Sequence, residues 1–403
     1  MVVMPNLPVD ITKEILSRLP VKSLLRFRCV SKLWRCLISD SYFITLHLNR
    51  SKEKKQASLV IITNDDDSSI SYTMVEEVNN SSCHNKFIDL PFLTRIELGN
   101  CGRKLDVIGL GLCNGLLCFS LSRFGCICFN DPIYLLNPAT RELKELPPHS
   151  SPTELYQGER FTWVGFGFDP MSRDYKVVKI VYTYNCGGST ILRSDFWVYS
   201  LNSDKWRKLG DDIPVPKLDM ISDASRRTLP VINSAIHWML CSWKIYLFDL
   251  VHEVFRELPP PPEKGWYIDL LVMGGCLSVF CYTRKLYSSL VEMWVMKEYG
   301  VKESWTKQLI VFNYPYGWKY KPVHGWDYKP VELWNDDEIL FQYNDNNKKN
   351  KLVLYNTRSK TERNPGIHGL PTMFKAFGHA ESLVMLKSAG GNGRKGKEEE
   401  DDD

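Results

Sequence analysis

The 403-residue chain lacks any run of about 18 apolar residues, so it offers no transmembrane helix. Met1-Val2-Val3-Met4 has neither the basic start nor the apolar core of a secretion signal, which predicts that the chain is not exported. Paired cysteine spacing is also missing. The 12 Cys are scattered, many inside apolar runs such as Leu112-Cys113, Leu117-Cys118 and Phe280-Cys281, where a reduced thiol behaves as a small hydrophobe. Reduced cysteines point to the cytoplasm or nucleus. Cys113, Cys118, Cys126 and Cys128 crowd together, but their spacing is not that of the paired knuckles that wrap zinc, so no metal and no cofactor is expected. The eight His sit in no HExxH motif and beside no nucleophile elbow; His237, between Ile236 and Trp238, reads as a strand residue. No catalytic residue can be named, and the chain is not expected to be an enzyme. With 44% hydrophobic and 24% charged residues, the composition is that of a globular protein.

Charge excess is absent overall but present locally. The net charge is +4, and residues 1–50 alone, with eight Lys or Arg and three Asp or Glu, carry +5. Lys22, Arg26, Arg28, Lys32 and Arg35 lack the interleaved exposed aromatics that suit single-stranded nucleic acid, so steering of an acidic protein partner is the preferred reading. The same segment reads as three short helices. Ile11, Ile15, Leu16 and Leu19 make one stripe, with Asp10 as N-cap and Pro20 as stop; Val21, Leu24, Leu25 and Cys29 make a second; Val30, Leu33, Trp34, Leu37 and Ile38 make the third. A unit of about 40 residues rarely holds together without metal, disulfide or association, and association is the option left. Trp34 is either a core anchor or a contact, and its size favours the core.

After Arg50 the chain changes to short β-rich runs punctuated by Gly, Asn, Asp and Pro. A unit recurs. Asn114–Phe119, Tyr134–Arg141 and Glu142–Pro148 are echoed by Asn233–Met239, Ile245–Leu250 and Phe255–Pro259, then by Gly274–Phe280, Val291–Met296 and Ser304–Leu309, and by Asp336–Phe341 with Leu352–Asn356. A variant runs through Gly165–Pro170, Tyr175–Tyr182, Phe196–Ser200 and Lys205–Leu209, and Ser58–Thr63, Ile70–Val75 and Phe87–Pro91 make a divergent first copy. About six units of roughly 40–60 residues predict a propeller of small sheets, closed to avoid long edges. Glu381–Leu386 resembles Ser58–Thr63 and is expected to be the closing strand. Trp197, Trp206, Trp238, Trp294 and Trp305 are expected to pack between blades.

The run LPVDITKEILSRLPVKSLLRFRCVSKLWRCLIS resembles an F-box, the module that docks on a Skp-type adaptor of a cullin ubiquitin ligase. The resemblance implies an adaptor surface of Leu7, Pro8, Ile11, Ile15, Leu16, Leu19 and Pro20, with Leu24 and Leu25 on the next helix. The remainder, through Leu136–Pro148, Gly165–Val178, Met293–Tyr299 and Ser304–Lys307, is similar in content and order to the F-box-associated domain of plant F-box proteins, though it lacks the regular double Gly of strict kelch repeats. The expected fold is therefore α+β by domain: a three-helix F-box (1–50), an all-β, kelch-like propeller domain (51–387) and a disordered acidic tail (388–403).

The resemblance implies a substrate-recognition subunit that contacts a cullin through the adaptor and presents an unidentified target protein for ubiquitination and degradation, with neither nucleic acid nor membrane as partner. Aromatic, turn-rich stretches supply the expected target contacts: Tyr156, Trp163, Trp266, Tyr267, Tyr316, Trp318, Tyr320, Trp326 and Tyr328. Packing between blades would explain the same aromatics. The rival readings are a lectin-like propeller that binds a glycan or small molecule, or a propeller hydrolase, either carrying an F-box, and an F-box protein that holds the adaptor without directing ubiquitination.

Overall fold

In the computed structural model the N-terminal unit has four helices where spacing predicts three: α1 (Val9–Leu16), α2 (Val21–Phe27), α3 (Lys32–Ser39) and α4 (Ser41–Glu53). The structure describes residues 8–53, 58–64, 70–75, 83–84, 88–89, 106–122, 131–148, 159–185, 191–210, 229–239, 242–264, 268–285, 288–312, 328–344, 349–372 and 374–386. Pro8, not Asp10, occupies the N-cap of α1; proline suits this position because the missing N–H would have no partner there. Ser31 caps α3 by accepting from the Trp34 amide at 3.1 Å. Asp40 does the same for α4, accepting from the Tyr42 and Phe43 amides.

Most of the remaining described chain is a ring of six four-stranded antiparallel blades, each with strands a (innermost) to d (outermost), and beside it Cys83–His84 pairs in parallel with Ile367–His368. Blade 2 is Asp106–Cys113, Leu116–Ser122, Ile133–Asn137 and Glu142–Glu145. Blade 3 is Glu159–Asp169, Asp174–Tyr184, Ile191–Ser200 and Lys205–Lys208; blade 4 is Val231–Ile232, Ala235–Met239, Ile245–Asp249 and Val254–Leu258. Blade 5 is Ile268–Met273, Cys276–Lys285, Ser288–Met296 and Trp305–Phe312; blade 6 is Tyr328–Asn335, Glu338–Asn344, Asn350–Asn356 and Thr361–Arg363. Blade 1 is composite. Phe374–His379 supplies strand a and pairs with Ser58–Asn64, which is followed by Ile70–Val75 and Ile88–Asp89.

The closing strand is thus Phe374–His379 and not Glu381–Leu386. Both segments alternate apolar residues, but only the earlier one is reached by the Ser58–Thr63 ladder, with Val60 opposite Phe377. Closure is also written in the core. Six apolar clusters each straddle one blade boundary, and the one between blades 6 and 1 joins Leu340, Leu352 and Leu354 to Leu59, Ile61 and Phe374. A blade buries both faces only if it has a neighbour on each side, and the ring gives every blade two.

The repeated motifs are turn devices. Asn114-Gly115, Asn233-Ser234 and Gly274-Gly275 each place two successive residues at positive φ, the requirement of a two-residue hairpin matching the strand twist. In Asn137-Pro-Ala-Thr-Arg141 the Asn Oδ1 accepts from the amides of Ala139 and Thr140, and Arg141 closes the turn at φ 60°. Asp249 with Glu253, and Asn356 with Lys360, repeat that geometry in blades 4 and 6. The recurrent Trp side chains join blades: Trp206 donates to the Pro147 carbonyl at 2.7 Å and Trp305 to the Pro259 carbonyl at 3.1 Å. Each reaches back to the Leu-Pro step that ends the preceding blade, as expected of packing residues. Trp197, Trp238 and Trp294 are buried.

Candidate functional site

Pairing directions sort the connections onto two faces. Lys52, near the end of α4, donates to Asn114 Oδ1 at 2.7 Å, which puts the helical unit at the end of the ring where strand a of blade 2 turns into strand b. In an antiparallel blade every a–b and c–d turn then lies on this near face, and every b–c and d–a connection leaves from the far face. In blades 2, 3, 4 and 6 the near face carries the tight turns. The far face launches the long connections, among them those spanning 146–158, 211–228 and 313–327.

On the helical unit, α1 leaves Val9, Ile11 and Ile15 45–50% exposed, with Pro8 beside them and Pro20 exposed at the corner before α2. Leu19 and Leu25 are half-buried. Leu16 and Leu24 are corrected: both are buried with Val21, Ile38 and Phe43, because a stripe as wide as that of α1 has to supply a core as well as a surface. Leu7 lies outside the described residues. Trp34 packs edge-on against Phe27, centroids 5.3 Å apart, and takes the core role. Helix α4 holds α1 from behind. Glu14 is paired with Arg18 and Arg50, whose hydrogen bonds keep its carboxyl below the usual range, and His47 Nε2 lies 2.9 Å from the Leu19 carbonyl at the Leu-Pro corner. Lys22, Arg26, Lys32 and Arg35 are exposed, as a steering role requires.

Sequence reasoning missed Val9 and Tyr42 as exposed apolar positions, and it took Val30 and Leu33 for stripe residues although both are exposed. Helix α4, which carries Tyr42, was legible only as the Asp40 cap ahead of Phe43, Ile44, His47 and Leu48.

Among the aromatics expected to meet a target, Trp163 is corrected: it is buried between blades 3 and 4, 6.3 Å from Trp238, because it stands in the apolar alternation of a fully covered strand. Tyr328 begins strand a of blade 6 at the far face, half-buried and stacked on Tyr343 with centroids 5.0 Å apart. Tyr156, Trp266, Tyr267, Tyr316, Trp318, Tyr320 and Trp326 lie outside the described residues, as do Cys126, Cys128 and the tail.

A cavity of about 620 Å³ runs along the inner strands of the ring, lined by Gly109, Asp269, Lys329, Glu332, Lys375 and His379 among others. Burial pushes the Glu332 carboxyl up to about 7 and the His379 imidazole down to about 4. Among the described residues no group of three His, Cys, Asp or Glu is placed to hold a metal ion, and no helix is long and apolar enough to cross a membrane. Cys113 is pushed up to about 12 by burial, the behaviour of a packed thiol.

Comparison with known families and proteins agrees with this architecture. Residues 4–46 match the F-box domain and residues 59–388 match the F-box associated beta propeller domain. The F-box/kelch-repeat protein At3g23880 of Arabidopsis thaliana is 30% identical over 319 residues, covering 76% of this chain and 79% of the relative. The F-box protein At3g07870 of the same plant is 29% identical over 415 residues, with 94% and 91% coverage. The Arabidopsis F-box protein CPR1 is 27% identical over 413 residues, with 95% and 89% coverage.

Proposed function

The chain belongs to the plant F-box proteins that carry an F-box-associated β-propeller, and from that premise we propose that it is the substrate receptor of a Skp–cullin–F-box ubiquitin ligase. The helical unit docks on a Skp-type adaptor, the adaptor holds the cullin, and the far face of the propeller holds the target protein. The receptor contributes proximity. It raises the effective concentration of a target lysine at an active site on another protein and performs no bond chemistry itself.

One observation carries the reading: α1 leaves Ile11 and Ile15, one helical turn apart, half exposed together with Val9, while Leu16 alone among its apolar side chains is packed inward. A row of unpartnered aliphatics flanked by exposed Lys and Arg fits an apolar groove with an acidic rim. The two-face arrangement supports the target role, because the long connections and the Tyr328–Tyr343 stack leave from the face away from the helices, where a bound adaptor does not compete.

The test is a titration of purified Skp-type adaptor against the full chain and its Ile11→Ala/Ile15→Ala variant by calorimetry. The reading expects tight binding by the first and loss of most of it in the second. Absence of binding by the unaltered, folded chain sinks it and brings forward glycan or small-molecule binding by the propeller.

A further inference from the structure

We infer that residues 380–386 form a strap that makes the F-box depend on the closed propeller, so that the adaptor-binding surface is completed only after the last blade has formed. The strap follows directly on Phe374–His379, the strand that closes the ring. Its side chains alternate between two partners. Even positions face the propeller. Ser382 is fully buried, the carbonyls of Ser382 and Val384 accept from Asn137 Nδ2 at 3.0 and 2.8 Å, and Val384 and Leu386 join the apolar cluster between blades 2 and 3. The Leu386 amide donates to Glu142 Oε2 at 3.1 Å.

Odd positions face the helices. Glu381 Oε2 accepts from the Val21 amide at the start of α2, at 3.3 Å, and Met385 lies beside Arg28. Leu383 is fully buried in the F-box core, packed with Leu16, Val21, Leu24, Ile38 and Phe43.

A core this small has no spare member. Leu383 comes from the far end of the chain, yet it fills the space behind α1 and α2, whose opposite faces present Ile11, Ile15 and Pro20. Asn137 serves twice, its Oδ1 forming the blade 2 turn and its Nδ2 holding the strap. Gly115 completes the cradle: at φ +77° it lies against the strap so closely that a Cβ there would meet the Ala380 carbonyl oxygen at 2.2 Å. A chain that has not yet made or closed strand 374–379 cannot place Leu383, and its F-box is left loose. The consequence for adaptor binding rests on the receptor reading; the dependence of the helices on the strap does not.

The experiment compares amide hydrogen exchange and adaptor affinity in three forms: the full chain, a chain ending at Ala380, which keeps the closing strand, and a chain ending at residue 387, which drops only the tail. Leu383→Ala in the full chain is the milder variant, and a synthetic peptide of residues 380–387 is added in trans as a rescue. In the chain ending at Ala380 and in Leu383→Ala, exchange of the amides of residues 9–27 should accelerate by about thirty-fold or more. Blades 4 and 5, which the strap does not touch, should keep their protection, adaptor affinity should fall with the helices, and the peptide should restore both. The chain ending at residue 387 should match the full chain. Unchanged protection of residues 9–27 without the strap overturns the inference, and so does equal loss of protection in blades 4 and 5, which would make the strap a general part of ring closure. If exchange behaves as expected while even the full chain binds no adaptor, the strap stands and the receptor reading fails.

Discussion

Among the described residues, the large apolar side chains left exposed on the helical unit are Val9, Ile11, Ile15, Val30, Leu33 and Tyr42, whereas the propeller, several times longer, exposes Met171, Leu192, Val254 and Val301, and the strap Met385. The two regions face the same problem with different means. A blade satisfies its apolar faces by having two neighbours of its own kind, so the repeat contains its own solution. The helical unit, with a core of a few side chains, has to borrow: it takes Leu383 from the C-terminal strap and leaves the outer side of α1 open. Apolar residues in the propeller therefore report stability, as does Leu16 on α1, while the exposed residues of α1 are those the proposed docking would use.

That division can be broken at several points. The largest effect is expected in the ring: Phe166→Ala empties the fully buried site where Phe166 stacks on Tyr175 between blades 2 and 3, and should cost about 3–5 kcal/mol in denaturant unfolding. Leu16→Ala, in the helical core, should cost about 2–5 kcal/mol of local stability and weaken adaptor binding only through the loosened helices, visible as lost exchange protection of residues 9–27. An unaltered exchange pattern with lost adaptor binding would return Leu16 to the contact surface.

Acid should act on the propeller next. His237, fully buried and 2.6 Å from the Tyr299 hydroxyl, is pushed down to about 4 from 6.5 by burial, and His379 shares that shift. Between pH 6.5 and 4 the unfolded chain binds protons that the native imidazoles refuse, so stability is full above 6.5 and falls as pH drops through this window, by at most about 3 kcal/mol per histidine. Thermal melts across pH should show that slope, and it should flatten in His237→Gln.

Ile15→Ala reverses the pattern. Its melting should stay within about 0.5 kcal/mol of the unaltered chain while adaptor affinity falls roughly tenfold, read by calorimetry. The smallest change is Trp206→Phe, which keeps the ring but removes the hydrogen bond to Pro147 and should cost about 0.5–1.5 kcal/mol with no effect on adaptor affinity.

Much of the molecule was legible in advance because repetition is a sequence property. The Asn-Pro-Ala-Thr-Arg turn and its relatives mark strand c–d junctions whatever lies beside them, since an Asx turn and a residue at positive φ are satisfied within five residues. The Leu-Pro steps and the stripe of α1 follow from equally local chemistry, whereas the repeat of about six units left the number of blades and their closure to the tertiary structure. Trp163 was misread because an aromatic at the end of a loop-rich stretch looks the same whether the strand begins before or after it. Glu381–Leu386 was misread for a related reason: alternation identifies an extended segment with two different faces but not what each face meets.

The sequence by itself determined the step from helices to β-rich runs, a repeat of about six units and the stripe of α1, because turn conformations and helical spacing are set within a few residues. Only the tertiary structure decided that Phe374–His379 closes the ring, that Leu16 and Leu24 turn inward, and that Leu383 completes a core more than 300 residues away. Those choices depend on which of several similar apolar segments fits which remaining gap, and a gap exists only once the chain has folded around it.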